Sequence, residues 1–254
     1  MPPIPPFIEP DWPAPANVLA LSTTRCGGCS AVPYDSLNLA HHVGDSDGAV
    51  GANRDILSAV LPRSGAVPWL SQVHGSRVLE AGQGGLYPEA DAQWSRSLGT
   101  PCAVMTADCL PVLFCSAAGD VVAAAHAGWR GLSAGVLEAT VRSMRTQTEG
   151  VLVWLGPAIG PAAFEVGPEV RTTFLASAGS TEASAVEACF RGNPGRPGYY
   201  YADLYALARV RLGALGVHRF FGGGFCTHSD TQRFFSYRRD GKTGRMASLI
   251  LLRE

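Results

Sequence analysis

Long apolar stretches are what the 254-residue sequence most plainly lacks: its unbroken apolar runs fall far short of the ~20 residues that span a bilayer. Its first residues carry no basic segment followed by an apolar one, so the expectation is a soluble, cytoplasmic protein with no leader and no membrane partner. Positive charge is not in surplus either. Twenty Lys plus Arg face 21 Asp plus Glu, a net charge of −1, where a nucleic-acid binder needs a basic excess or stripe. The basic cluster Arg238, Arg239, Lys242 and Arg245 flanks Asp240-Gly241 and reads as a solvated hairpin tip, so no nucleic-acid partner is expected. Dense cysteine spacing is missing as well: seven cysteines are scattered through a long chain, which fits reduced thiols and leaves at least one unpaired. Histidines number six, two of them adjacent at 41 and 42, a thin supply for the His-rich clusters that several coppers require.

What is present is an ordinary globular composition, 46% hydrophobic and 16% charged, with length enough for one sizeable domain. Residues 1–16 hold seven of the eighteen prolines and read as an extended arm, leaving 17–254 as a single catalytic domain. Strands are expected at Val18 to Thr24, Val67 to Val73, Cys102 to Thr106, Val151 to Leu155, Arg219 to Phe225, Phe234 to Tyr237 and Met246 to Leu252. Helices are expected from an Asp47 cap to Pro62, over Leu132 to Gln147, from Pro168 to about Ala176, and after an Asp203 cap up to Gly216. A surface excursion with one short helix around Glu182 to Cys189 fills 177–198. Strict β-α-β alternation is absent, so the class is a mixed α/β (α+β) fold with hairpins and not a doubly wound sheet.

The organising stretch is Thr106 to Leu132. Two short apolar runs, Leu110 to Cys115 and Val121 to Ala125, flank a turn-forming Ser-Ala-Ala-Gly-Asp and predict a β-hairpin. Antiparallel pairing then brings Cys109, before the first strand, and His126, at the end of the second, to the same end. Gly128-Trp129-Arg130-Gly131 follows as a glycine-rich strand-to-helix turn where free backbone N–H groups could receive an anion.

His74, in Gln72-Val73-His74-Gly75, also stands beside a turn. His74, Cys109 and His126 could hold zinc as three ligands with a fourth position left open, the pattern of a catalytic site. A rival reading makes Cys109 a nucleophile and His126 the base that activates it, without metal. A third leaves a buried cysteine and two structural histidines. Cys115 stands at the far end of its strand from Cys109, so no fourth ligand closes the set. The C-x-x-C at Cys26 and Cys29 has no second ligand pair at zinc-site spacing and reads as incidental.

At these residues the chain resembles the YfiH-like proteins, long labelled multicopper polyphenol oxidases or laccase-domain proteins and now described as purine nucleoside phosphorylases. The resemblance runs through almost the whole chain. It is carried by T-T-R-x-G-G at Thr23 to Gly28, S-L-N-L at Ser36 to Leu39, V-G-D at Val43 to Asp45, N-R at Asn53 and Arg54, and Q-V-H-G at Gln72 to Gly75. It continues through A-D-C-L-P-V at Ala107 to Val112, H-A-G-W-R-G at His126 to Gly131, G-P-A-I-G at Gly156 to Gly160, and F-F-S-Y-R-R-D-G-x-T-G-R at Phe234 to Arg245. Cys26 and Cys29 depart from the family's usual residues.

The resemblance implies one domain with helices covering two stacked mixed β-sheets (α/β/β/α layers), similar to the catalytic domain of cytotoxic necrotising factors. It implies one zinc ion on His74, Cys109 and His126, with copper disfavoured. It also implies cleavage of adenosine, inosine and methylthioadenosine by phosphate, with adenosine deamination. Purine nucleosides and inorganic phosphate are then the partners. For that chemistry Arg130 is the first candidate for holding the phosphate and Arg54 the second. Asp108, beside the thiolate, is a candidate to orient a ligand or move a proton, and Asn38 and Gln72 to read sugar or base. The alternatives are peptidoglycan-precursor editing, copper oxidase chemistry and a non-catalytic zinc-binding module.

Overall fold

The computed structural model describes residues 7–61, 66–179 and 181–254. The proline-rich arm contributes its last part: β1 (Phe7–Ile8) pairs antiparallel with β2 (Val18–Thr23), while residues 1–6 lie outside the described residues. Helix α1 (Asp47–Ala59) starts from Ser46, not from Asp47, because the Asp47 carboxylate is turned to the ring of His41, 2.8 Å away. Pro62, its expected terminator, is outside the described residues.

The Val67 to Val73 strand does not form. Pro68 removes a ladder donor there, and a single bridge, Ser71 to Glu89, is left. Two unanticipated short strands follow instead, β3 (Val78–Glu80) and β4 (Ala92–Ser95), then β5 (Cys102–Thr106). The central hairpin is β6 (Leu110–Ser116) with β7 (Val122–Ala127), in the register Pro111 opposite His126.

The expected helix Leu132 to Gln147 is two helices, α2 (Trp129–Ser133) and α3 (Val136–Met144), broken where Gly135 takes φ +89°, which only glycine adopts freely. Then come β8 (Val151–Leu155), β9 (Glu165–Val166), α4 (Pro168–Ser177), α5 (Ala183–Ala188), β10 (Phe190–Gly192) and β11 (Tyr200–Ala202). Asp203 caps α6 (Leu204–Gly213) by accepting from the Ala206 amide, as its position predicts.

After β12 (Arg219–Gly222), the expected Phe234 to Tyr237 strand is replaced by one helical turn, α7 (Tyr237–Asp240), before β13 (Met246–Leu252). The reason is local: Ser236 accepts from the Arg239 amide as a cap, and the Arg239 guanidinium donates to the carbonyls of Thr227, His228 and Phe234. The basic cluster is therefore not a hairpin tip: Arg238, Arg239 and Arg245 donate to backbone carbonyls, while Lys242 stays exposed over the Tyr34 ring.

Two sheets stack. One is antiparallel in the order β1-β2-β13-β5, and the other is mixed, β12-β8-β6-β7-β4-β3, with parallel pairs at both edges. β5 thus belongs to the first sheet and does not feed the hairpin sheet as a neighbour. A third small sheet, β10-β11-β9, flanks the helices. Alternation along β6 and β7 sends their side chains to two covered faces, which explains why both strands are buried throughout and apolar but for Ser116 and His126. Leu113, Cys115, Val122 and Ala124 face the first sheet, packing with Val104 and Ile250. Leu110, Val112, Phe114, Ala123 and Ala125 face Leu137 of α3, Phe174 of α4 and Leu207 of α6. The outer face of the antiparallel sheet is covered by Leu57 of α1 with Leu39 and Ala40. The layers are helix, sheet, sheet, helix, and the hairpin is buried at their centre.

Candidate active site

The antiparallel register carries Cys109 and His126 to one end of the hairpin, and the turn at 72–75 adds His74. Their donor atoms all lie within 4.8 Å of one another, with Cys109 Sγ 3.9 Å from His74 Nε2 and the two imidazole rings packed edge to face. Asp91, just before β4 and fully buried, accepts from His126 Nδ1 at 2.8 Å and from the amides of His74 and Gly75 at 2.9 and 2.6 Å. His74 itself sits at φ +61°, a left-handed conformation unusual for a residue with a side chain.

The glycines of the following turn serve this packing. A Cβ on Gly128 would stand 2.9 Å from Cys109 Sγ, and one on Gly131 2.7 Å from the carbonyl oxygen of Gly75. Only glycine lets α2 begin this close to the donors.

Burial opposes ionisation of Cys109, but the charge and hydrogen bonds of His126 and His74 prevail and bring its thiol down to about 6. Burial likewise opposes charge on His126, and the Cys109 thiolate and Asp91 carboxylate raise it to about 9. Metal-free, the pair is thiolate and imidazolium. Two imidazole nitrogens and a ready thiolate, clustered this tightly, form a His₂Cys set that could hold a metal ion.

The donors line a cavity of about 860 Å³ whose wall, among the described residues, also carries Arg54, Arg245, His41 and His42 and no carboxylate. Arg54 is stacked over Trp69, its ring centroid 4.6 Å away, and donates to the Tyr87 hydroxyl and the Leu39 carbonyl. Arg245 donates to the carbonyls of Thr243 and Gly244, and its amide donates to Asn38 Oδ1. Burial, then the charges of Arg245, Arg54 and His41, hold His42 below its ordinary value, so it is neutral at pH 7.

A sequence profile for the family described as multi-copper polyphenol oxidoreductase laccase matches residues 19–253. A purine nucleoside phosphorylase of Pseudomonas aeruginosa is 55% identical over 248 residues, 98% of this chain and 99% of its own. The Escherichia coli purine nucleoside phosphorylase YfiH is 53% identical over 247 residues, 97% and 98% of the two chains. The chain belongs to this YfiH-like, laccase-domain family. Among solved structures, a Neisseria meningitidis protein matches with a TM-score of 0.90 at 49% identity, covering 98% of this chain and all 100% of that one. YlmD from Geobacillus stearothermophilus matches with a TM-score of 0.87 at 31% identity, covering 98% and 97%.

In this YfiH-like protein the other residues singled out from sequence are placed unequally. Arg54 and Gln72 line the cavity, although both ends of the Gln72 amide are engaged by the Met105 backbone. Arg130 does not line it: the side chain is exposed, with its guanidinium 4.4 Å from the centroid of the Trp129 ring. Asn38 is fully buried beneath the wall, bonded to Ala40, Asp45 and Arg245, because its short amide closes a loop there. Asp108, at φ +91°, points away from the donors and accepts from Thr227 Oγ1, Ser236 Oγ and the Arg238 amide.

Residues that the sequence did not single out for the site are Asp91, Arg245, His41, His42, Tyr87 and Tyr237. Arg245 and Tyr237 lie within the F-F-S-Y-R-R-D-G-x-T-G-R motif, whose Asp-Gly between apolar runs suggests a hairpin and hides them. Asp91, in Ala90-Asp91-Ala92, offered only one signal, an isolated acid among apolar neighbours.

Among the described residues no helix is long and apolar enough to cross a membrane.

Proposed function

We propose that this protein is a zinc-dependent purine nucleoside phosphorylase acting on adenosine, inosine and methylthioadenosine. The observation that carries the reading is that one cavity joins the His74-Cys109-His126 donor set to two arginines with, among the described residues, no carboxylate in its wall. The relatives named for this activity, identical at 55% and 53% over nearly full length, support it.

In the proposed reaction a phosphate oxygen attacks the ribose C1′ while the bond from C1′ to the purine nitrogen breaks. The bond's electrons leave with the base, which takes up the proton that the attacking phosphate gives up, and the products are free purine and ribose 1-phosphate, or 5-methylthioribose 1-phosphate from methylthioadenosine. Arg54 and Arg245 hold the phosphate, a role for which the cavity favours them over Arg130. Leu70 and Met105 give the base an apolar wall. His74, Cys109 and His126 would hold zinc, which supplies Lewis acidity toward charge developing on the substrate. Since three donors leave a position for water or substrate, deamination of adenosine is proposed as a lesser activity of the same site.

A His₂Cys set also serves single copper centres, but the cluster offers one site and not the several that a laccase needs. The test incubates protein of measured metal content with each nucleoside, with and without phosphate, and identifies the products. Ribose 1-phosphate, or 5-methylthioribose 1-phosphate from methylthioadenosine, formed only with phosphate, at about one zinc per chain, is the expected result. Several coppers per chain with oxidase activity, or no reaction on any nucleoside, would overturn it.

A further inference from the structure

We infer that Asp91 is a positioning residue that aims two of the three donors, His74 and His126, at a single metal ion; the inference rests on the metal-site reading above. Its carboxylate is fully buried and collects four donors on two oxygens. Oδ1 accepts from His126 Nδ1 at 2.8 Å and from the His74 amide at 2.9 Å, and Oδ2 accepts from the Gly75 amide at 2.6 Å and the Val73 amide at 3.3 Å. Its main-chain carbonyl adds a further bond, accepting from the His126 amide at 2.7 Å. One side chain therefore ties together the loop that carries His74 and the strand end that carries His126.

Two consequences follow from hydrogen-bond chemistry. First, His74 is held at φ +61° by amide bonds to the carboxylate on both sides of it, so its ring direction is set by Asp91 and not by a local preference of the chain. Second, an acceptor at Nδ1 keeps the proton there and leaves the Nε2 lone pair of His126 free for a metal.

Only a carboxylate satisfies both demands, because every group facing it is a donor. Asparagine has the same shape but one acceptor and one donor. With its NH₂ in place of Oδ2, donor meets donor at the Val73 and Gly75 amides, and the loop on either side of His74 loses its anchor. With its NH₂ in place of Oδ1, donor meets donor at the His74 amide, and His126 Nδ1 must become the acceptor, so that its proton moves to Nε2, where it blocks the metal. Asp91→Asn is frustrated in either orientation.

The test compares Asp91→Asn with the wild type, each stripped of metal and reloaded with zinc. Zinc affinity is measured by competition with a chromophoric chelator, and melting curves are recorded with and without saturating zinc. Positioning is expected to cost about 10- to 100-fold in zinc affinity and to shrink the zinc-induced rise in Tm. A purely structural carboxylate would lower Tm equally in both forms while affinity stays within about twofold of wild type, and that result overturns the proposal. Should the variant fail to fold, nitrogen NMR of the zinc-loaded wild type decides. A strongly hydrogen-bonded N–H on His126 Nδ1 supports the proposal, and an N–H on Nε2 overturns it. Wild-type protein that takes up no zinc removes the functional reading and this inference together, whereas zinc-binding wild type with an indifferent Asp91→Asn removes this inference alone.

Discussion

Within one cavity, the donor cluster and the arginine pair are built by different means. Cys109 and His126 come from a single hairpin whose strands are buried on both faces, and the register of Pro111 against His126 leaves little freedom in their separation. Arg54 comes from α1 and Arg245 from the segment before β13, and each is held by backbone carbonyls and aromatic rings. Two of the three donors are thus a product of the central sheet, with the His74 loop tied to it through Asp91, while the arginine pair is an assembly of distant segments. The difference teaches that losing a donor should remove chemistry without unfolding the protein, whereas losing an arginine should weaken one substrate and leave the donors intact.

The largest effect is expected at the donors. Cys109→Ala should abolish turnover in a product assay while the melting temperature falls only modestly, because a strand-end residue contributes less packing than a core one. Stripping metal with a chelator should abolish turnover in the wild type as well. An apo protein with full activity would break the comparison by giving the chemistry to a metal-free Cys109–His126 pair.

Next come the arginines. Arg245→Ala or Arg54→Ala should depress phosphorolysis by about 10² if the guanidinium contacts the transition-state phosphate. Zinc content should not change. Arg130→Ala, which removes an exposed side chain stacked on Trp129, should cost far less. If Arg130→Ala were the more damaging, the anion would sit at the turn after His126 and the arginine pair would be structural.

The same contrast explains what could be read in the sequence. Hairpin register follows from period-2 patterning and turn length, so the meeting of Cys109 and His126 was legible in a short window. Arg245 was not, because its place depends on Ser236 capping one helical turn and on Arg239 tying down three carbonyls, contacts that leave no periodic signal. Asn38 and Asp108 had motif context that drew attention, but nothing in composition tells a buried loop-closing amide or carboxylate from a substrate contact. The Gly-Trp-Arg-Gly turn is ambiguous in sequence for a physical reason. Glycine is needed both for anion cradles and for close backbone approach, and here Gly128 and Gly131 meet Cys109 and Gly75. Long elements with caps, such as α6 behind Asp203, were legible, and two- or three-residue strands such as β9 and β10 were not.

A smaller effect is expected from pH on the metal-free protein. The Cys109 thiol is lowered from 9.0 to about 6, so the stability its thiolate contributes is present above pH 9 and is lost as pH falls through about 6. His126 is raised from 6.5 to about 9, so its contribution is complete below 6.5 and is lost as pH rises through about 9. The ion pair is therefore intact between about 6 and 9. Alkylation of Cys109, followed by peptide mapping, should stay fast down to pH near 6, and bound zinc should block it. Cys115, pushed up to about 12 by burial, should stay unlabelled. A Cys109 rate that titrated near 9 would mean that the histidines do not act on the thiol, and the donors would lose their electrostatic distinction from ordinary cysteines.

The smallest effect is expected at the other conspicuous cysteine pair. Cys26 and Cys29 have the spacing of a metal knuckle but none of the geometry. Cys26 Sγ donates to the Gln232 carbonyl at 3.2 Å and Cys29 Sγ to the Ala49 carbonyl at 3.6 Å. Among the described residues the cluster able to hold a metal is His74, Cys109 and His126, so the pair has neither a shared direction nor partner ligands. Serine can donate the same two hydrogen bonds, and one of the two positions is exposed. Cys26→Ser with Cys29→Ser should therefore leave zinc content and product formation within about twofold of wild type, the range of substitutions that touch no site. Loss of zinc in the double variant would place the metal at the glycine turn after β2, and the hairpin would hold a thiolate–imidazolium pair with no ion to bind.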